Sequence, residues 1–200
     1  MQFVLIFSQI HKMLAVEIQK SEIISGVIVA KPQIFEDDRG FFIETWRQEW
    51  LPETRPMIQS NRADRSKGTL VGFHYHMNQS DYWYVSHGQA QVVLHDLRQG
   101  SPTQGATQNF KLGTSKDSEQ KGVYIPPGVA HGFAAMTDIT ITYLVDNYYD
   151  PEDELGIAWN DPQIKADWEI DNPILSKRDQ SNSLLEDIEE HLQPEYQADS

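Results

Sequence analysis

The chain has 200 residues, a net charge of −14 and no cysteine. At this length one domain with a sizeable core is the default, disulfide and thiolate chemistry are excluded, and nucleic acid is disfavoured because its binders need basic patches. An anionic small substrate stays open, provided a few arginines converge in one cleft.

The opening Met1-Gln-Phe-Val-Leu-Ile-Phe run is apolar but has no basic residues before it and stops at Ser8. It is too short for a signal peptide or a membrane span, so no membrane partner is expected, and the absence of cysteine fits a reducing cytoplasm. Residues 1–12 read as a dispensable extension, with an extra edge strand as the alternative, and the extension is taken to run to residue 22. From Ile23 onward, β-branched and aromatic runs alternate with Gly, Pro, Asn and Asp: residues 25–30, 40–46, 81–85, 90–95, 122–125 and 139–145. Their spacing predicts an all-β barrel or two-sheet jelly roll. Helix is expected only over Thr45–Leu51 and, capped by Ser183, over residues 183–192. Residues 184–200 read as an acidic tail, frayed beyond residue 193.

Two stretches carry the candidate chemistry. Leu70-Val-Gly-Phe-His74-Tyr-His76 is strand-like, so His74 and His76 share a face. Pro126-Pro-Gly128-Val-Ala-His131 brings a third histidine out of a tight turn. Inward-facing imidazoles can move protons or hold a metal, and the bland alternative for each is a hydrogen-bonded core histidine.

The order of motifs resembles the dTDP-4-dehydrorhamnose 3,5-epimerase family of the cupin superfamily. The resemblance covers about residues 23–183. It runs through Phe35-Glu-Asp-Asp-Arg39-Gly, Gln59-Ser-Asn61, Leu70-Val-Gly-Phe-His74, Asp96-Leu-Arg98, Tyr124-Ile-Pro-Pro-Gly-Val-Ala-His131, Tyr143, Gly156-Ile-Ala-Trp159 and Pro173-Ile-Leu-Ser-Lys-Arg178-Asp179. It implies a cupin jelly roll (a double-stranded β-helix barrel) with minor helices near the C-terminus, and a strand-exchanging homodimer. The implied substrate is a nucleotide-diphosphate 4-keto-6-deoxy sugar, inverted next to its C4 ketone without a cofactor. It further implies His74 as base, Asp179 as its orienting carboxylate and Tyr143 as the acid across the ring. Substrate contacts are implied for Arg39, Glu44, Gln59, Asn61, His131 and Arg178. Arginine suits a diphosphate through its planar fork, whereas Asp-Asp-Arg-Gly alone is equally a solvated hairpin turn.

Two positions depart from the family's pattern. Val71 stands where a phosphate-gripping arginine is expected, and Asp81 where a lysine would stabilise the enolate oxygen; a carboxylate there repels a developing oxyanion. The same change makes Gly68-x5-His74-x-His76-x4-Asp81-x6-Gly88, with Pro126-x-Gly128-x2-His131, resemble the motifs of metal-binding cupins. This leaves one divalent transition metal on His74, His76, Asp81 and His131 as an alternative. A noncatalytic nucleotide-sugar-binding relative is the third reading.

Overall fold

The computed structural model describes residues 16–197. Thirteen strands follow in chain order: β1 (Val16–Lys20), β2 (Ile28–Pro32), β3 (Ile34–Asp37), β4 (Gly40–Ile43), β5 (Gln59–Arg65), β6 (Leu70–Tyr75), β7 (Asp81–His87), β8 (Gln89–Asp96), β9 (Thr107–Gly113), β10 (Gly122–Ile125), β11 (Val129–Ala135), β12 (Ile139–Val145) and β13 (Leu155–Gly156). They build a six-stranded sheet in the order β1-β2-β10-β7-β12-β5 and a five-stranded sheet in the order β13-β6-β11-β8-β9. Every strand pair is antiparallel, and β3–β4 form a separate hairpin. This is the all-β jelly roll that the alternating strand patterns and the family resemblance predict.

Alternation along each strand decides what lies between the sheets. On β11, Val129, Phe133 and Ala135 join Trp83 and Val85 of β7, Ile139 and Ile141 of β12, and Val92 and Leu94 of β8 in one buried cluster. The intervening Ala130 and Ala134 belong to a second cluster with Phe73, Tyr75, Val93, Ile157, Ile164 and Trp168. That second layer covers the outer face of the five-stranded sheet with the chain beyond residue 155. It explains why Val92-Val93-Leu94 is apolar without a break: β8 is buried on both faces. A third cluster, with Tyr82, Tyr84 and Tyr124 against Trp50 and Leu51, covers the outside of the six-stranded sheet.

Several expectations are corrected. Residues 16–20 of the supposed extension are the edge strand β1, paired to β2 from Val16↔Pro32 to Lys20↔Ile28; residues 1–15 lie outside the described residues. The helix expected over Thr45–Leu51 is a short 3₁₀ turn at Gln48–Trp50, and that over 183–192 is two such turns, Leu185–Asp187 and Glu190–Leu192. Nor is the C-terminal stretch frayed as far as it is described. Gln99 N–H donates to Pro194 O at 2.8 Å, Tyr196 N–H to Gln99 O at 2.9 Å, and Tyr75 Oη to Leu192 O at 3.0 Å. The backbone pairing to Gln99 competes successfully with the weak helical preference of a charged, Pro-terminated segment. Among the described residues no helix is long and apolar enough to cross a membrane.

Candidate active site

The inner wall of β6 depends on an irregularity. Pairing runs His131↔His74, then Phe133↔Val71, so β6 spends three residues where β11 spends two. A β-bulge of this kind reverses which face the following side chains take. Val71 therefore packs in the inter-sheet cluster while Phe73 and Tyr75 turn outward, and His74 and His76 share the inner side. Gly72 permits it: its φ is +115°, and a Cβ there would stand 2.7 Å from both Gly132 Cα and His131 O.

His74 Nε2 lies 2.6 Å from Asp179 Oδ1. A carboxylate oxygen accepts, so Nε2 carries the proton and Nδ1 of the neutral ring keeps the free lone pair. Asp179 is buried and is held by its own turn: Ser176 Oγ donates to Asp179 Oδ2 at 2.8 Å, and Asp179 N–H donates to Ser176 Oγ at 3.0 Å. Burial alone would raise the Asp179 carboxyl, but hydrogen bonding and charge from His74, then Ser176 and the Arg178 charge, hold it below the usual range. The turn reaches β6 because Ile174 pairs with Gly68 and Leu70 through backbone bonds of 2.8 and 3.0 Å.

Tyr143 stands on β12 of the opposite sheet, in register with Trp83 and Asn61. Its phenol is pushed up by burial and by the charges of Asp81 and Glu154, against an opposing effect of Arg65. It therefore stays protonated at neutral pH, the state an acid requires. Asn61 accepts from Gln59 Nε2 at 2.9 Å, so these two form a polar pair beside Tyr143.

His76, Asp81 and His131 make a separate buried group whose ligating atoms all lie within 4.8 Å of one another. His74 falls outside it, so the proposed four-membered set divides into a dyad and a triad. His76 Nδ1 donates to Asp153 O at 2.7 Å and His131 Nδ1 to Val129 O at 3.0 Å, since a carbonyl can only accept. Asp81 is buried, not turned to solvent; its carboxylate accepts from Trp83 Nε1 and Gln79 Nε2, each at 2.9 Å. Burial, together with the neighbouring imidazoles, pushes His131 down to about 4, an effect that the Asp81 charge and the Val129 hydrogen bond oppose.

The remaining candidates sit elsewhere. Arg39 lies at the tip of the β3–β4 hairpin, exposed and paired with Asp37, so within one chain it does not join the histidines. Glu44 accepts from Arg47 at 2.7 Å. Arg178 donates to the Glu154 carboxylate and to the carbonyls of Glu154 and Leu155, where it clamps β13 alongside β6. Ser176, Gln79, Trp83 and Asp153 escaped the sequence reading. Only Ser176 left a signal there, the capping-type spacing of Ser176-x-x-Asp179. Two surface hollows, of about 370 and 240 Å³, contain neither the dyad, the triad nor Tyr143.

The family model described as dTDP-4-dehydrorhamnose 3,5-epimerase matches residues 21–187. The chain belongs to this family. It is 34% identical over 174 residues to the dTDP-4-dehydrorhamnose 3,5-epimerase of Pseudomonas aeruginosa, covering 83% of this chain and 94% of that one. It is 38% identical over 160 residues to the enzyme of the same name from Neisseria gonorrhoeae, covering 76% of this chain but 48% of the relative. The crystal structure of the Legionella pneumophila epimerase RmlC in complex with dTDP-4-keto-L-rhamnose superposes with a TM-score of 0.84 at 33% identity, covering 92% of this chain and 100% of that one. The epimerase family match begins in the turn from β1 into β2 and ends in the 3₁₀ turn at Leu185–Asp187, so it takes in every strand but β1 and includes the Asp179 segment.

Proposed function

We propose that this chain is a nucleotide-sugar epimerase acting next to the C4 ketone of a dTDP-4-keto-6-deoxyhexose. The observation that carries the reading is the 2.6 Å pair of His74 and Asp179, with Tyr143 on the facing sheet. His74 Nδ1 takes the proton from the carbon beside the ketone, and the ionised Asp179 stabilises the imidazolium that forms. Tyr143 returns a proton from the opposite side, which inverts the centre. Removal of that proton is rate-determining chemistry, so its loss appears in kcat more than in affinity. His74→Ala and Asp179→Asn are each expected to slow solvent deuterium uptake into dTDP-4-keto-6-deoxyglucose by about 10²–10⁴-fold. Exchange at the wild-type rate in both variants sinks the reading and leaves a nucleotide-sugar-binding relative, which the Val71 and Asp81 departures would then favour.

The working unit on this reading is a homodimer. Among the described residues the β3–β4 hairpin has no third strand, and an isolated hairpin is marginal in water. It presents Phe41 and Phe42 at 53% and 59% exposure, with Ile34 beside them. A second copy would cover them and receive Arg39. A cysteine-free chain using a nucleotide-diphosphate substrate belongs in the cytoplasm.

A further inference from the structure

We propose that His76, Asp81 and His131 bind one divalent transition-metal ion, separately from the His74–Asp179 dyad. Both rings give their Nδ1 hydrogens to backbone carbonyls, which aims the two Nε2 lone pairs at the same region as the Asp81 carboxylate. Three acceptors converge there, and each of the three residues is about 95% buried or more. Two donors reach this group: the Trp83 indole, 2.9 Å from Asp81 Oδ2, and the Gln79 amide, 2.9 Å from Asp81 Oδ1 and a long 3.3 Å from His76 Nε2. His76 Nε2 and Asp81 Oδ1 stand 3.9 Å apart, too far to share a proton. A cation resolves the convergence. Tetrahedral bonds of about 2.0–2.1 Å set donors about 3.3 Å apart, so swinging out the Gln79 amide and small rotations of the rings suffice.

Two imidazoles and one carboxylate select zinc, iron, cobalt, nickel or manganese over calcium or magnesium. Three protein ligands leave a position open for a substrate oxygen. Where the preceding reading holds, the ion restores beside His74 the positive charge that Asp81 forfeits, and polarises the ketone as a Lewis acid. His74 is not consumed as a ligand, so base and metal operate together.

The test uses the full chain, stripped with chelator and titrated with Co(II) by visible absorption and with Zn(II) by calorimetry. One equivalent is expected to bind with a dissociation constant of about micromolar or tighter. His76→Gln, His131→Gln and Asp81→Asn should each weaken binding by at least about tenfold, while His74→Ala stays within about twofold. No binding by the wild-type chain overturns the proposal whatever the variants do, as does loss of binding in His74→Ala equal to that in His131→Gln. Binding is read without turnover. Metal uptake with no deuterium exchange therefore retains this site and discards the epimerase reading, and exchange in metal-free protein at the full rate discards the metal's role.

Discussion

At the scale of single residues, the two nitrogens of His74 have divided tasks. Nε2 is fixed on Asp179, so on the proposed mechanism Nδ1 is the nitrogen that meets substrate and Tyr143, across the barrel, would finish the inversion. Tyr143→Phe is accordingly expected to keep deuterium uptake within about tenfold of wild type while inverted product falls by about 10²-fold or more; mass and proton spectra of one reaction mixture measure both. Equal loss of the two would place Tyr143 in substrate binding instead. The dyad was legible because His74 and Asp179 each sit in a recognisable motif. The division of the histidines was not, since strand alternation puts His74 and His76 on one face but says nothing about which neighbour claims each ring. Arg39 was not legible for a related reason: an Asp-Asp-Arg-Gly turn reads the same whether its arginine meets phosphate or Asp37, and within one chain it meets Asp37.

Among the elements, the β8–β9 connection is organised by one carboxylate. Asp96 accepts from Arg98 Nε at 2.7 Å, Ser101 Oγ at 2.6 Å and Thr103 Oγ1 at 2.7 Å. Burial pushes its carboxyl up, but these hydrogen bonds and the Arg98 charge outweigh burial and hold it below the ordinary range. A depressed carboxyl binds fewer protons folded than unfolded, so its contribution is present above the unfolded carboxylate range and is lost as pH falls through the folded value. Asp96→Asn should destabilise the chain by about 3 kcal/mol at pH 7, and the gap from wild type should narrow as urea midpoints are followed down toward pH 3. A gap independent of pH would remove the charge argument. Six of the thirteen strands announced themselves by β-branched and aromatic runs. β5 reads Gln-Ser-Asn-Arg-Ala-Asp-Arg and β9 Thr-Gln-Asn-Phe-Lys-Leu-Gly. Both are sheet edges with mostly uncovered faces, where nothing selects for apolar residues and the pattern that marks a strand disappears.

For the whole molecule, the exposed aromatic hairpin predicts association. Phe42→Asp is expected to shift sedimentation from dimer to monomer at about micromolar concentration, because a charge on that face cannot be buried without a partner; an unchanged sedimentation coefficient excludes the hairpin as the interface. The barrel and its helix-poor cover followed from alternation and turn residues, but the docking of the last stretch did not, since Pro194 and Tyr196 bond through backbone and a lone hydroxyl rather than through an apolar stripe. That stretch has a temporal meaning as well. The contact between His74 and Asp179 spans 105 residues, and it forms after every strand of both sheets has been synthesised. A nascent chain can complete both sheets, His76 and His131 included, while His74 still has no acceptor for its Nε2 proton. On the proposed mechanism the base is therefore oriented only when translation is nearly complete, because Asp179 arrives after all the strands.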